Sequence, residues 1–321
     1  MLYDLIFSFN AVIPIFLIML LGLVVRRLKI VDVSTTTQMN SLLFKVVLPI
    51  KLFNAVHGSD YSQMLDWKFV AFLIVSVIVF FFICWIIAVK LIKDDKKKGA
   101  FIQGSFRGNY VILGVAISTE VLGFTPPLAV TGVVMVVPLF NVLSVIILTI
   151  YGEKKGESGK VESGNVIKTI ITSILTNPLI IAIFAGITLT LLNIEFIPLL
   201  SAPVNMMASL ATPFALLIMG ASLDFSKIKE RLQLTLIASA LKLIVMPVIF
   251  IPLAIWLGIS PEGIVVLLVL YAAPTAIVSY VMASHMGTDE HLASSIVLFT
   301  SLLSILTFTI GVYILRVLGI V

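Results

Sequence analysis

Long apolar runs separated by short polar breaks repeat along the whole chain. Ten stand out, near 5–25, 37–58, 68–92, 100–123, 127–151, 168–192, 198–222, 232–257, 261–285 and 291–315. Each is close to the length a helix needs to cross a hydrocarbon core of ~30 Å. Strand barrels show short alternating segments instead, a pattern missing here. The first run carries Asp4, has no basic residue before it, and is followed by Arg26, Arg27 and Lys29 without a small-residue cleavage site. It predicts a retained helix rather than a cleaved leader.

One stretch reads as a flexible linker, YGEKKGESGKVESGN at 151–165, rich in Gly, Ser, Lys and Glu and with little to bury. It divides the chain into a first five-helix unit (1–151), a linker (152–167) and a second five-helix unit (168–321). Lysine and arginine set the expected orientation. The breaks after spans 1, 3, 5 and 7 hold fifteen of the 21 basic residues, among them Arg26, Arg27, Lys96, Lys97, Lys154 and Lys227. The other side shows Lys68 and Arg316. This predicts a multi-pass protein of the cell membrane with a cytoplasmic linker and both termini outside.

The two units also resemble each other. An offset of 164 residues superposes Pro14 on Pro178, Gly22 on Gly186, Pro49 on Pro213, Asp60 on Asp224 and Gly123 on Gly287. An odd number of helices per copy turns the second copy upside down in the membrane. The expected fold is therefore all-α, with ten transmembrane helices in two inverted five-helix repeats, an arrangement typical of secondary transporters. The bland alternative is a helical scaffold whose prolines coincide.

Composition sharpens this. The 321 residues are 60% hydrophobic and 12% charged, against about 25% charged in a soluble domain. A net charge of +5 does not point to nucleic acid, because the basic residues sit in the breaks as a topology signal. The single Cys84 leaves no disulfide and no cysteine metal site. HExxH, GxSxG and Walker sequences are all missing, so the reading is no enzyme, no cofactor and no bound metal.

Two spans are interrupted at matched depth. SFRGNYVILG (105–114) puts a charge, a helix-weakening glycine and an amide in a row within span 4. YAAPTAIVSYVMASHMG (271–287) puts Pro274 near the middle of span 9, where it removes a backbone hydrogen bond. The offset of 164 pairs Tyr110 with Pro274. Freed backbone groups at that depth require protein or a water-lined cavity to satisfy them. Half-helices starting there aim N–H groups and a positive dipole end at the cavity, which suits a small anion. Candidate cargo contacts are Gly108, Asn109, Tyr110, Pro274 and Thr275. For Asn109 the bland alternative is a helix–helix hydrogen bond.

Charge inside the spans agrees with an anionic cargo. Lys45, Lys51, Arg107 and Lys242 stand against one intramembrane acid, Glu120, and such charges are usually functional. Arg107 and Lys45 also have a snorkelling account. Lys242 has one as a partner of a backbone carbonyl, and the pattern assigns Lys51 no role. A cation antiporter would want a carboxylate pair at the midplane, and the runs contain none.

These residues carry a family likeness. FNAVIPIFLIMLLGLVVRRLKI followed by MNSLLFKVVLPIKLF, then GNYVILGVAIS, TNPLI and AAPTAIVSYVMA, resemble in order and spacing the auxin efflux carrier family, which includes bacterial malate and malonate permease-like proteins. The resemblance implies that broken spans 4 and 9 cross over each other. It implies a scaffold of spans 1, 2, 6 and 7 that faces a second copy in a homodimer, and a moving unit of spans 3–5 and 8–10. Function would be elevator-type transport of a small organic anion such as malate, in a lipid bilayer, with contacts at Gly108, Asn109 and Pro274. Two other readings stay open: a sodium-coupled organic-anion symporter of the bile-acid type, and a membrane sensor that binds a metabolite without moving it.

Overall fold

A computed structural model describes Pro14 and residues 17–57, 66–110, 117–118, 121–124, 126–152, 166–194, 196–222 and 225–320. Residues 153–165, most of the expected linker, lie outside the described residues, as do Asp60, Glu120 and Asp224. Every regular element among the described residues is a helix. In chain order these are 17–27 (α1), Val33–Val56 (α2), Trp67–Leu91 (α3), Asp95–Phe106 (α4), Pro127–Tyr151 (α5) and Val166–Leu175 (α6). Then follow Pro178–Leu191 (α7), Pro198–Ser222 (α8), 225–256 (α9), Pro261–Ala272 (α10), Val278–His285 (α11) and Glu290–Val317 (α12).

Short polar side chains start several of these helices by taking up first-turn N–H groups. Asp32 accepts from Thr35, Asp66 from Phe69, Asp94 from Lys96, and Asp289 from Leu292. The Thr35 amide also holds the Asp32 carboxyl below its ordinary range. Prolines shape the helix interiors. In α2 a π-helical turn, Leu43–Val47, precedes Pro49, and in α9 the same turn, Leu241–Val245, precedes Pro247. A proline lacks the N–H for its i−4 carbonyl and crowds that turn. Widening the preceding turn relieves the clash.

Among the described residues, six helices are long and apolar enough to cross a membrane: Val33–Val56, Trp67–Leu91, Pro127–Tyr151, Leu199–Ala221, Glu230–Trp256 and Glu290–Val317. Pro178–Leu191 and Pro261–Ala272 are apolar but shorter. The shortening has a visible cause. The expected breaks in spans 4 and 9 are present, and each divides an apolar run. Span 6 differs from expectation. Instead of one helix over 168–192 it breaks at Thr176–Asn177, where the Asn177 side chain accepts the Leu179 N–H at 3.0 Å and Pro178 takes the first helical position. Span 1 lies partly outside the described residues.

The helices pack in two groups. In one, α4 is buried from Gly99 to Phe106 and α10 from Gly263 to Ala272. α3, α5, α9 and α12 pack around α4, and α5, α9 and α12 around α10. In the other, α2 packs against α7 and α8. Glycines let backbones meet there. A Cβ on Gly22 would fall onto the Leu217 carbonyl of α8, and one on Gly186 would sit 2.8 Å from the Phe53 carbonyl of α2. Large apolar side chains such as Leu199, Met206, Val248 and Ile310 point outward with more than half their surface uncovered. An exterior this apolar matches hydrocarbon rather than water, so the chain is a membrane-embedded, multi-pass helical protein.

Small-residue packing of this kind predicts a specific sensitivity. Gly186→Val drives a side chain into Val56 and the Phe53 carbonyl, an overpacking that costs about 1–3 kcal/mol. Its thermal unfolding midpoint in detergent is expected to fall by several degrees. A variant melting with the wild type would contradict the close α7–α2 approach.

Candidate functional site

The site forms where two helices stop. α4 ends at Phe106, and Arg107 turns to extended backbone (φ −82°, ψ 117°). α10 ends at Ala272, and Ala273 does the same (φ −59°, ψ 136°). Proline at 274 favours the second stop, because it cannot donate within the helix. The two extended pieces run antiparallel and pair. Gly108 and Thr275 form an isolated β-bridge. The Asn109 N–H donates to the Pro274 carbonyl at 2.7 Å, and the Ala276 N–H to the Arg107 carbonyl at 3.4 Å.

Side chains complete the backbone pairing, as a buried break requires. The Thr275 hydroxyl donates to the Gly104 carbonyl at 2.7 Å, and the Thr275 N–H donates to the Thr300 hydroxyl at 3.0 Å. The Lys242 Nζ donates to the carbonyls of Leu270 (3.2 Å) and Tyr271 (3.0 Å). A cavity of about 40 Å³ opens beside the crossing, room for a few waters at roughly 10–15 Å³ each. The crossing supplies Arg107, Gly108, Asn109 and Tyr110 on one arm and Ala276, Ile277 and Val278 after the other. α5 adds Val137, Phe140 and Asn141, α2 adds Leu48, Lys51 and Leu52, and α8 adds Ala211, Thr212 and Ala215.

Two cations meet at this cavity. The Lys51 ammonium donates to the Thr212 hydroxyl. The Arg107 guanidinium, 4% exposed, donates to Asn141 Oδ1 at 3.0 Å, Ser144 Oγ at 3.3 Å and Met282 Sδ at 2.7 Å. A guanidinium has five N–H donors, so Arg107 retains unspent ones. Among the described residues no carboxylate pairs with Lys51 or Arg107. The Asn109 side-chain amide also finds no protein partner among them, although Asn109 is 7% exposed.

Five residues marked from the sequence therefore share one cavity: Lys51, Arg107, Gly108, Asn109 and Tyr110. Tyr110 is anchored on the α5 side, its hydroxyl donating to the Ala129 carbonyl at 3.2 Å and its ring lying over Gly132. Pro274 and Thr275 do not line the cavity. They form the opposite arm of the crossing and hold it closed. Lys242 lies behind the crossing, and Lys45 is exposed on α2 away from it. Asn141, Ser144 and Thr212 escaped the sequence reading. Each is a lone polar residue in an apolar run, which is the signal that marks them.

The fold and site define a class, a polytopic helical membrane protein with a small cavity, edged by two cations, at a helix crossing. A family model described as "Membrane transport protein" matches residues 7–312. The chain belongs to that family, the auxin efflux carriers and their relatives. It is also 25% identical over 311 residues to a protein of Rhizobium meliloti (strain 1021) named "Putative malonate transporter", with 95% of each chain covered. This protein is a membrane transporter and not an enzyme.

Thr275 is a test of the crossing itself. Thr275→Val removes the hydroxyl partner of the buried Gly104 carbonyl, a loss of about 1–3 kcal/mol. Thr275→Ser keeps it. The valine variant is expected to melt several degrees below the serine variant, and equal melting would contradict the bonding described for the crossing.

Proposed function

We propose that this protein is a secondary transporter of a small organic anion, a carboxylate, and that the cavity at the crossing is its cargo site. The observation that carries this is the company of Lys51, Arg107 and Asn109 around one cavity, with no carboxylate among the described residues that line it. An unpaired buried cation is costly unless an anion completes it. A carboxylate there takes the free Asn109 amide and the unspent Arg107 donors, and a second carboxylate takes Lys51. This favours a dicarboxylate such as malonate or malate over a monocarboxylate, and the name of the Rhizobium relative agrees.

Transport is by an elevator-type motion. The cavity lies between two groups of helices. Its α2 and α8 wall belongs to a scaffold of α1, α2, α6, α7 and α8. Its crossing and α5 wall belong to a moving unit of α3–α5 and α9–α12. The division follows an inverted five-plus-five repeat, a reading that matched contacts support. Gly22 meets Leu217, and Gly186 meets Phe53; the 164-residue offset maps one contact onto the other, Gly22 on Gly186 and Phe53 on Leu217. The pocket lining repeats the relation, with Leu48 and Thr212, and Lys51 and Ala215, each 164 residues apart. Gly123 and Gly287, also 164 apart, both adopt positive φ (77° and 74°), a conformation glycine takes without cost. The scaffold pairs with a second copy in a homodimer, both termini face outside the cell membrane, and the bilayer potential, about 2.3 kcal/mol per charge per 100 mV, moves the anion.

The test is uptake of labelled malonate by purified protein in liposomes under an imposed potential. Asn109→Ala removes an amide bonded to a charged cargo, worth about 1.5–3 kcal/mol. Its uptake is expected to fall at least tenfold while its melting stays near wild type. Unchanged uptake would remove the cavity from the pathway, and binding without any uptake by the wild type would favour the sensor reading. In the same assay Lys51→Met is expected to weaken competition by malonate about tenfold or more, while sparing competition by monomethyl malonate. Equal loss for both would contradict a role for Lys51 in reading the second charge.

A further inference from the structure

Lys242 belongs to no wall of the cavity, yet it is a fully buried lysine at the heart of the moving unit. It projects from the π-helical turn Leu241–Val245 of α9. Its nitrogen meets three acceptors: the Leu270 carbonyl at 3.2 Å, the Tyr271 carbonyl at 3.0 Å and Met246 Sδ at 3.7 Å. An ammonium has three donors, and each finds a partner.

The two carbonyls follow from the break in α10. In an unbroken helix the Leu270 carbonyl would take the N–H of residue 274, and the Tyr271 carbonyl that of residue 275. Residue 274 is proline and has no N–H. The Thr275 N–H goes to the Thr300 hydroxyl instead. Lys242 therefore occupies two of the acceptors that the break orphans, at the negative end of the α10 dipole. Gly108 makes room for it. A Cβ at 108 would lie 3.1 Å from the Lys242 Nζ and 3.2 Å from the Leu270 carbonyl. The ammonium thus sits directly under the first arm of the crossing.

In carriers with broken helices, orphaned carbonyls at a half-helix C-terminus are where a mobile monovalent cation is coordinated. We infer that Lys242 is a resident cation in such a seat, covalently tethered, so that this protein needs no sodium or potassium ion to hold its crossing together or to bind its cargo. The charge a coupled ion would bring and carry away is here part of the chain. The seat is defined by the crossing alone and stands whatever the cargo is.

The experiment is melting of purified protein in sodium, potassium, methylammonium or N-methylglucamine chloride at equal ionic strength. The wild type is expected to melt alike in all four. Lys242→Ala empties the seat and is expected to melt several degrees lower in N-methylglucamine, with saturable recovery in methylammonium or sodium. Lys242→Met fills the space without charge and is expected to stay low in every salt. If the alanine variant is recovered folded only from methylammonium or sodium buffers, that too is the predicted behaviour. Saturable stabilisation of the wild type by sodium overturns the inference. So does an alanine variant that is indifferent to the cation, or one that folds in none of them. Malonate uptake by wild-type liposomes is expected to be unchanged when N-methylglucamine replaces sodium, and a sodium requirement overturns the inference. Should there be no malonate uptake in either salt, the cargo assignment fails while the melting series still decides the seat.

Discussion

A peptide group inside a hydrocarbon layer has no water to turn to, and this constraint governs the structure. Intact helices meet it within themselves. The two broken spans cannot, and their freed groups find partners only in each other and in a few side chains. Asn109 pairs with Pro274, and Arg107 with Ala276, through backbone. Thr275 reaches Gly104, and Lys242 reaches Leu270 and Tyr271. Once these bonds are made, the crossing is satisfied from behind. At the cavity, the Asn109 amide and the spare donors of Arg107 have no partner among the described residues, and Lys51 has one hydroxyl partner.

That division of labour separates structure from function among residues of similar character. Lys51 and Lys242 are both lysines in apolar helices, Lys242 within a π-helical turn and Lys51 in the helix that follows one. Lys242 has spent its donors on the protein, whereas Lys51 has spent one on Thr212 at the cavity wall. Arg107 is intermediate. Asn141 and Ser144 hold its guanidinium in place, as a preorganised binding group requires, without exhausting it.

Much of this was legible in the sequence, for physical reasons. Apolar runs of membrane-crossing length, bounded by polar breaks, marked the helices, and α5 and α8 begin and end where those runs do. Glycine and proline at matched depth marked the two breaks. Other features were hidden because their causes are long-range. The polar partners of the site, Asn141 and Thr212, are single residues in apolar runs, and only folding brings them to Arg107 and Lys51. Lys45 and Lys51 look equivalent in the sequence, but six residues turn an α-helix by about 240°, and Lys45 faces away. Pro274 and Thr275 were marked as lining residues, yet pattern alone does not say which arm of a crossing faces the cavity. The break at Asn177 read as continuous because its proline also suits a first helical turn.

The central claim is that the crossing builds the cargo site. The most direct measurement is an experimental structure of the protein determined with saturating malonate in a lipid environment. The account predicts ordered density for the dianion in the cavity, one carboxylate against the Asn109 amide and Arg107 and the other against Lys51. Malonate ordered at a different place, with this cavity holding only water, would contradict it.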